Sequence, residues 1–92
     1  MLPFDVAEYL TSRNAQAELL ADAFESGDET YIKNALATIA CARGMTALAK
    51  DAAVTRQALY KSLSETGDPR LSTLIGVIKA LGFKITVHET AY

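Results

Sequence analysis

The stretch Gly44-Met45-Thr46-Ala47-Leu48-Ala49-Lys50-Asp51-Ala52-Ala53-Val54-Thr55-Arg56-Gln57-Ala58-Leu59-Tyr60-Lys61-Ser62-Leu63 decides how this chain is read. Leu48, Ala49 and Ala52 recur at helical spacing, and Ala58, Leu59, Ser62 and Leu63 do so again a few residues later. Thr46 and Thr55 each stand where a hydroxyl can cap a helix start. The spacing predicts two short helices over about residues 46–63, separated by Ala53-Val54 and the cap Thr55. Ala49 is small enough for the pair to cross closely, and Leu48, Val54, Leu59 and Leu63 are apolar where the helices must lock together. That is a helix-turn-helix pattern. The second helix of such a pair enters the ~12 Å major groove of DNA only if the first holds it clear of the body.

An outward helix face that reads DNA must carry donors, and this one offers Arg56, Gln57, Tyr60 and Lys61, with Thr55 at its start. Arg suits guanine edges and Gln suits adenine edges, while Thr55, Tyr60 and Lys61 can reach phosphates. The plainer reading is an ordinary polar surface. Against it, no Asp or Glu occurs between Val54 and Ser64, in a chain that is acidic overall.

Outward from this stretch, the chain reads as helical. Ala occurs sixteen times and Leu eleven times in 92 residues, both strong helix formers. Gly27, Gly44, Gly67 and Gly82 fall where helices should stop. Upstream, Asp5 to Leu10 predicts a short helix docked through Phe4 and Leu10. Arg13 to Ser26 predicts a helix with Ala17, Leu20, Ala21 and Phe24 on its apolar face. Asp28 is a good N-cap for a third, with Ile32, Leu36, Ile39 and Arg43 on one stripe. Downstream, a last helix starts near Ser72, or after Asp68 with Pro69 in its first turn, and is expected to bury Leu71, Leu74, Ile75, Ile78 and Leu81. Phe83 to His88 alternates apolar and polar, the pattern of a strand. The fold class expected is all-α: one domain over residues 1–92, with five helices around a helix-turn-helix, an extra N-terminal helix and a short C-terminal β-strand.

Composition narrows the function classes. Half the residues are apolar and 22% are charged, which excludes bulk disorder. The unbroken apolar runs are about four residues long, far short of the ~20 a membrane span needs, and the N-terminus has no basic region before an apolar stretch. One Cys and one His give no disulfide, no structural zinc set and no nucleophile–base pair, so neither metal, cofactor nor catalysis is expected. A single Cys fits a cytoplasmic location. Cys41 itself reads as a small buried hydrophobe and His88 as a surface residue. The net charge of −2 hides an asymmetry: residues 1–31 carry −6, residues 32–61 carry +4 and residues 62–92 balance. An acidic end and a basic middle suggest two different partners.

Gly44 to Lys50 followed by Val54 to Ser64 resembles the Cro/Xre-type helix-turn-helix. Adding Phe4-Asp5, Tyr9-Leu10, Ala40 to Met45, Ser64 to Pro69 and the closing Leu74 to Val87 block, residues 4–88 resemble the HigA-like addiction module antidotes. One position departs: the family usually has Gly in the turn where this chain has Ala53, and a left-handed Ala costs of order 1 kcal/mol. The resemblance implies a dimeric antitoxin that represses its own operon and neutralises a RelE/HigB-like mRNA-cleaving toxin. On that reading the basic stretch faces a palindromic operator, through Arg43, Thr46, Thr55, Arg56, Gln57, Tyr60 and Lys61. The acidic end would face the toxin through Phe4, Asp5, Glu8, Tyr9, Glu18, Asp22 and Glu25. Leu81, Phe83, Ile85 and Val87 would pair with a second copy, the toxin being the other candidate mate for the strand. A stand-alone phage-type repressor and a toxin-binding module with a vestigial helix-turn-helix remain the alternatives.

Overall fold

In a computed structural model, residues 12–90 are described. They form five α-helices: α1 (Arg13–Ser26), α2 (Glu29–Arg43), α3 (Met45–Asp51), α4 (Arg56–Ser62) and α5 (Leu71–Ala80). The all-α class and the five helices are as expected. The N-terminal helix expected over Asp5 to Leu10 lies outside the described residues.

Each boundary has a local cause. The Ser12 hydroxyl accepts from Ala15 N to open α1, and left-handed Gly27 closes it. Asp28 accepts from the amides of Thr30 and Tyr31 to start α2, with Glu29 in the first turn where an acid is favoured. Gly44 alone separates α2 from α3 and caps both. Thr46 therefore lies one residue inside α3 and makes no cap, a correction to the sequence reading: Gly44 already turns the chain one step earlier. Thr55 does cap α4, accepting from Ala58 N at 3.0 Å.

The seven-residue α3 is the hub, packing on α2, α4 and α5, while α1 packs on α2. Leu36, Ile39, Leu59, Val77 and Leu81 are fully enclosed, with Leu20, Leu48, Ala49, Leu63 and Ile78 completing the core. Several expected faces are rotated. α1 buries Ala15, Gln16, Leu20 and Ala23, leaving Ala17, Ala21 and part of Phe24 exposed. α5 buries Val77 and Ile78 but leaves Leu71 70% and Ile75 38% exposed. Cys41 is also exposed rather than buried, because α2 turns Ala40 and Ile39 inward instead.

Residues 83–90 form no strand. A strand requires a ladder partner, and within the described residues no other extended segment supplies one. The segment instead leaves α5 through a tight reversal: Phe83 N donates to Ile78 O and Gly82 N to Lys79 O, with Gly82 at φ 85°. Two arginines secure this exit. Arg43 donates from Nη2 to Leu81 O at 2.9 Å and from Nε to the buried Gln16 Oε1 at 2.8 Å, and its guanidinium lies 5.8 Å from the Phe83 ring centre. Arg13 reaches the same Leu81 carbonyl from α1.

The loop after α4 is held as tightly. Lys33 Nζ donates to the carbonyls of Glu65 and Gly67, and Gly67 lies against the last turn of α4 so closely that an added Cβ would collide with Lys61 O and Ser62 O. Because those neighbours are backbone, they cannot swing aside. Gly67→Ala is expected to cost about 1–3 kcal/mol, the usual range for overpacking, and a urea denaturation curve checks it; an unchanged midpoint would show that the loop relaxes freely.

Candidate nucleic-acid interface

α4 is anchored on one side only. Leu59 is fully buried and Leu63, just past its end, is 4% exposed. Arg56, Gln57, Tyr60 and Lys61 all face solvent, Tyr60 being 61% exposed. Thr46 and Thr55 are exposed as well, and so is Lys50 in the last turn of α3, a basic residue the sequence reading left out. Six of the seven residues expected at this surface are thus exposed on α3, on α4 and at the cap between them. The seventh, Arg43, is committed elsewhere: its guanidinium binds Gln16 and the Leu81 carbonyl.

The connection between α3 and α4 sets the angle of this face. Val54 N donates to Ala49 O at 3.0 Å and Ala53 N to Lys50 O at 3.1 Å, the paired bonds that end a helix through a left-handed residue. That residue is Ala53, at φ 60°, the one non-glycine with positive φ among the described residues. Val54, next in line, packs partly buried against the core. The departure noticed in the sequence is therefore a real backbone demand met by a residue that pays for it in sterics.

Charge and apolar surface gather elsewhere. Glu18, Asp22 and Glu25 are exposed on α1, and no Lys or Arg occurs from Asn14 to Ile32. Asp22 accepts a hydrogen bond from the Tyr31 hydroxyl, tying α1 to α2. That bond, with burial and the carboxylate's charge adding to it, raises the Tyr31 phenol above its ordinary value of 10.0. Phe4, Asp5, Glu8 and Tyr9, the other expected acidic-end contacts, lie outside the described residues. Of the residues expected to pair with a second copy, Leu81 is fully buried in its own core and so presents no side-chain surface to another chain. Phe83 is half-buried, whereas Ile85 and Val87 are exposed. Among the described residues no helix is long and apolar enough to cross a membrane, and no group of three or more His, Cys, Asp or Glu is placed to hold a metal ion.

The family model described as "Probable addiction module antidote protein" matches residues 1–89. The chain belongs to this antidote family. It is also 39% identical to a protein of Haemophilus influenzae described as uncharacterized, over 89 residues that cover 97% of this chain and 92% of that one. No solved structure matches the chain. An antidote of an addiction module is defined by a toxin partner, so the family accounts for one of the two partners that the divided charge suggests.

Two outcomes follow from the site's geometry. Ala53→Gly removes the left-handed strain and should stabilise the antidote by about 0.5–1 kcal/mol, part of the relief being offset by glycine's greater unfolded-state entropy; a urea midpoint that falls instead would contradict the turn. Asp22→Asn should bring the Tyr31 phenol back toward its ordinary value, followed by NMR titration of its ring. In the parent protein the raised value means that the bond's contribution is whole below the unfolded phenol's titration and is lost as pH rises through the folded one.

Proposed function

We propose that this antidote is the antitoxin of a type II toxin–antitoxin module that binds its own operator through α4 and neutralises a RelE/HigB-like ribonuclease by direct contact. The observation that carries the DNA half is the composition of the exposed side of α4, with Arg56, Gln57, Tyr60 and Lys61 outward and no acid between Val54 and Ser64. Arg56 and Gln57 are the base readers, since both side chains can make paired hydrogen bonds to purine edges. Tyr60, Lys61, Thr55 and Thr46 contact the phosphate backbone and fix the register. Arg43 has no part in this interface, being held by Gln16 and Leu81.

α4 is seven residues long, about 10 Å of helix, and reads only a few base pairs. A homodimer on a palindrome doubles that reading, with half-sites one helical turn, ~34 Å, apart. The acidic exposed side of α1 faces the toxin, where opposite charge speeds association with a basic ribonuclease and fixes its orientation. Membership in the antidote family supports this reading over that of a stand-alone repressor.

Fluorescence anisotropy with the DNA upstream of the gene tests the proposal. Arg56→Ala and Gln57→Ala should each weaken binding by about 1–3 kcal/mol and relax preference at one or two base pairs. Lys61→Ala should weaken all sequences alike and reduce the salt slope by about one. Unchanged affinity in an Arg56→Ala/Gln57→Ala double variant would remove α4 from the readout.

A further inference from the structure

α1 and the C-terminal segment enclose a groove of about 1140 Å³ that the core does not fill. One wall is the ridge Ala17, Ala21 and Phe24, at helical spacing along α1. The other is the segment after α5, which contributes Phe83, Ile85 and Val87. Ala17 and Ala21 are exposed, and the larger side chains are left open to water as well: Phe24 is 36%, Ile85 45% and Val87 92% exposed. Apolar groups lining a concavity on a chain this small are costly to leave hydrated, and a contiguous patch of this kind marks a docking surface.

The rim tells which occupant fits. Glu25 and Glu89 line the groove against one basic residue, Lys84, and Glu18 and Asp22 extend the negative charge along α1. Arg13 and Arg43 keep their charge at the Gly82 end of the groove, where both bind the Leu81 carbonyl, so the acids hold the rim along α1 and the far end of the segment. Small residues at Ala17 and Ala21 let a helix approach α1 closely, and Phe24 closes the end of the ridge. We infer that the groove receives an amphipathic helix of the toxin, its apolar face on Ala17, Ala21, Phe24 and Val87 and its Lys or Arg flanks against Glu18, Asp22 and Glu25. A second copy docked symmetrically, groove to groove, would bring the same acidic rim and repel it, whereas a basic ribonuclease brings the complement. This inference rests on the antitoxin reading and gives it a surface.

The test measures the affinity of the full chain for the purified product of the adjoining reading frame, by biolayer interferometry, with rescue of growth as a second readout. Ala21→Arg and Val87→Asp change exposed positions, and circular dichroism confirms that each variant is folded. Each is expected to weaken toxin binding at least about tenfold, as loss of a central apolar contact does, while Arg56→Ala/Gln57→Ala binds the toxin as the parent does. Glu18→Lys/Glu25→Lys is expected to slow association and flatten its salt dependence. If the parent binds and silences the toxin but Ala21→Arg and Val87→Asp do so equally well, the groove is not the docking site and the antitoxin reading survives. If those variants leave toxin binding intact but convert a dimer to a monomer in sedimentation, or lower the melting temperature of the free chain, the occupant is a second copy or the chain's own terminus and the inference falls. If the parent neither binds nor silences the toxin, the antitoxin reading falls and takes the inference with it.

Discussion

A helix of seven residues does not persist by itself in water, because nucleation costs more than so few hydrogen bonds return. α4 exists because Leu59 is wholly enclosed and Leu63 nearly so, within a core shared with Leu48, Ala49, Leu36 and Val77. This single-sided anchoring has a consequence for chemistry. All the apolar requirement of α4 is met by one stripe, so Arg56, Gln57, Tyr60 and Lys61 owe nothing to packing and are free to meet a ligand. α3 makes the arrangement rigid, since it touches α2, α4 and α5 and ends in the paired bonds around Ala53. The loop beyond α4 closes the other end, where Lys33 binds the carbonyls of Glu65 and Gly67.

The same core separates two surfaces of opposite character. The basic surface is built on α3 and α4, the acidic one on α1, and α2 lies between α1 and α3 in the packing order. The Leu81 carbonyl joins the two halves: Arg13 from α1 and Arg43 from α2 both donate to it, and Arg43 also satisfies the buried Gln16. Both cations are thereby gathered at the Gly82 end of the groove beside α1, and the acids Glu18 and Glu25 occupy the rest of that helix's exposed side. On the proposed reading, toxin and nucleic acid are kept apart because each surface is built on a different helix face of the one core.

Much of this was legible in the sequence, for identifiable reasons. Caps are local, so Asp28 and Thr55 announced the starts of α2 and α4, and Gly27, Gly44 and Gly82 marked the ends of α1, α2 and α5, whereas α4 ends at Ser62, short of Gly67. The left-handed turn at Ala53 was indicated by the family resemblance, in which Gly usually stands there, and not by spacing. Rotation of a helix about its axis was not legible where apolar residues surround it. α1 carries Ala15, Ala17, Ala21 and Ala23, and α5 carries Leu71, Leu74, Ile75, Val77 and Ile78, so periodicity allows more than one buried face. The inward role of Arg43 depends on Gln16 and Leu81, residues far away in sequence whose meeting no local pattern encodes. Alternation over residues 83–88 suggested a strand, but alternation describes a face and not a ladder partner.

The central claim is that one small core carries two non-overlapping surfaces, α4 for DNA and α1 with the C-terminal segment for the toxin. Amide hydrogen exchange on the protein alone, with upstream DNA, with toxin and with both tests it most directly. The account predicts that DNA slows exchange over residues 55–61, that toxin slows it over residues 17–25 and 83–88, and that both patterns coexist in the ternary complex. Protection of the same amides by both partners, or displacement of one partner by the other at equal sites, would contradict it.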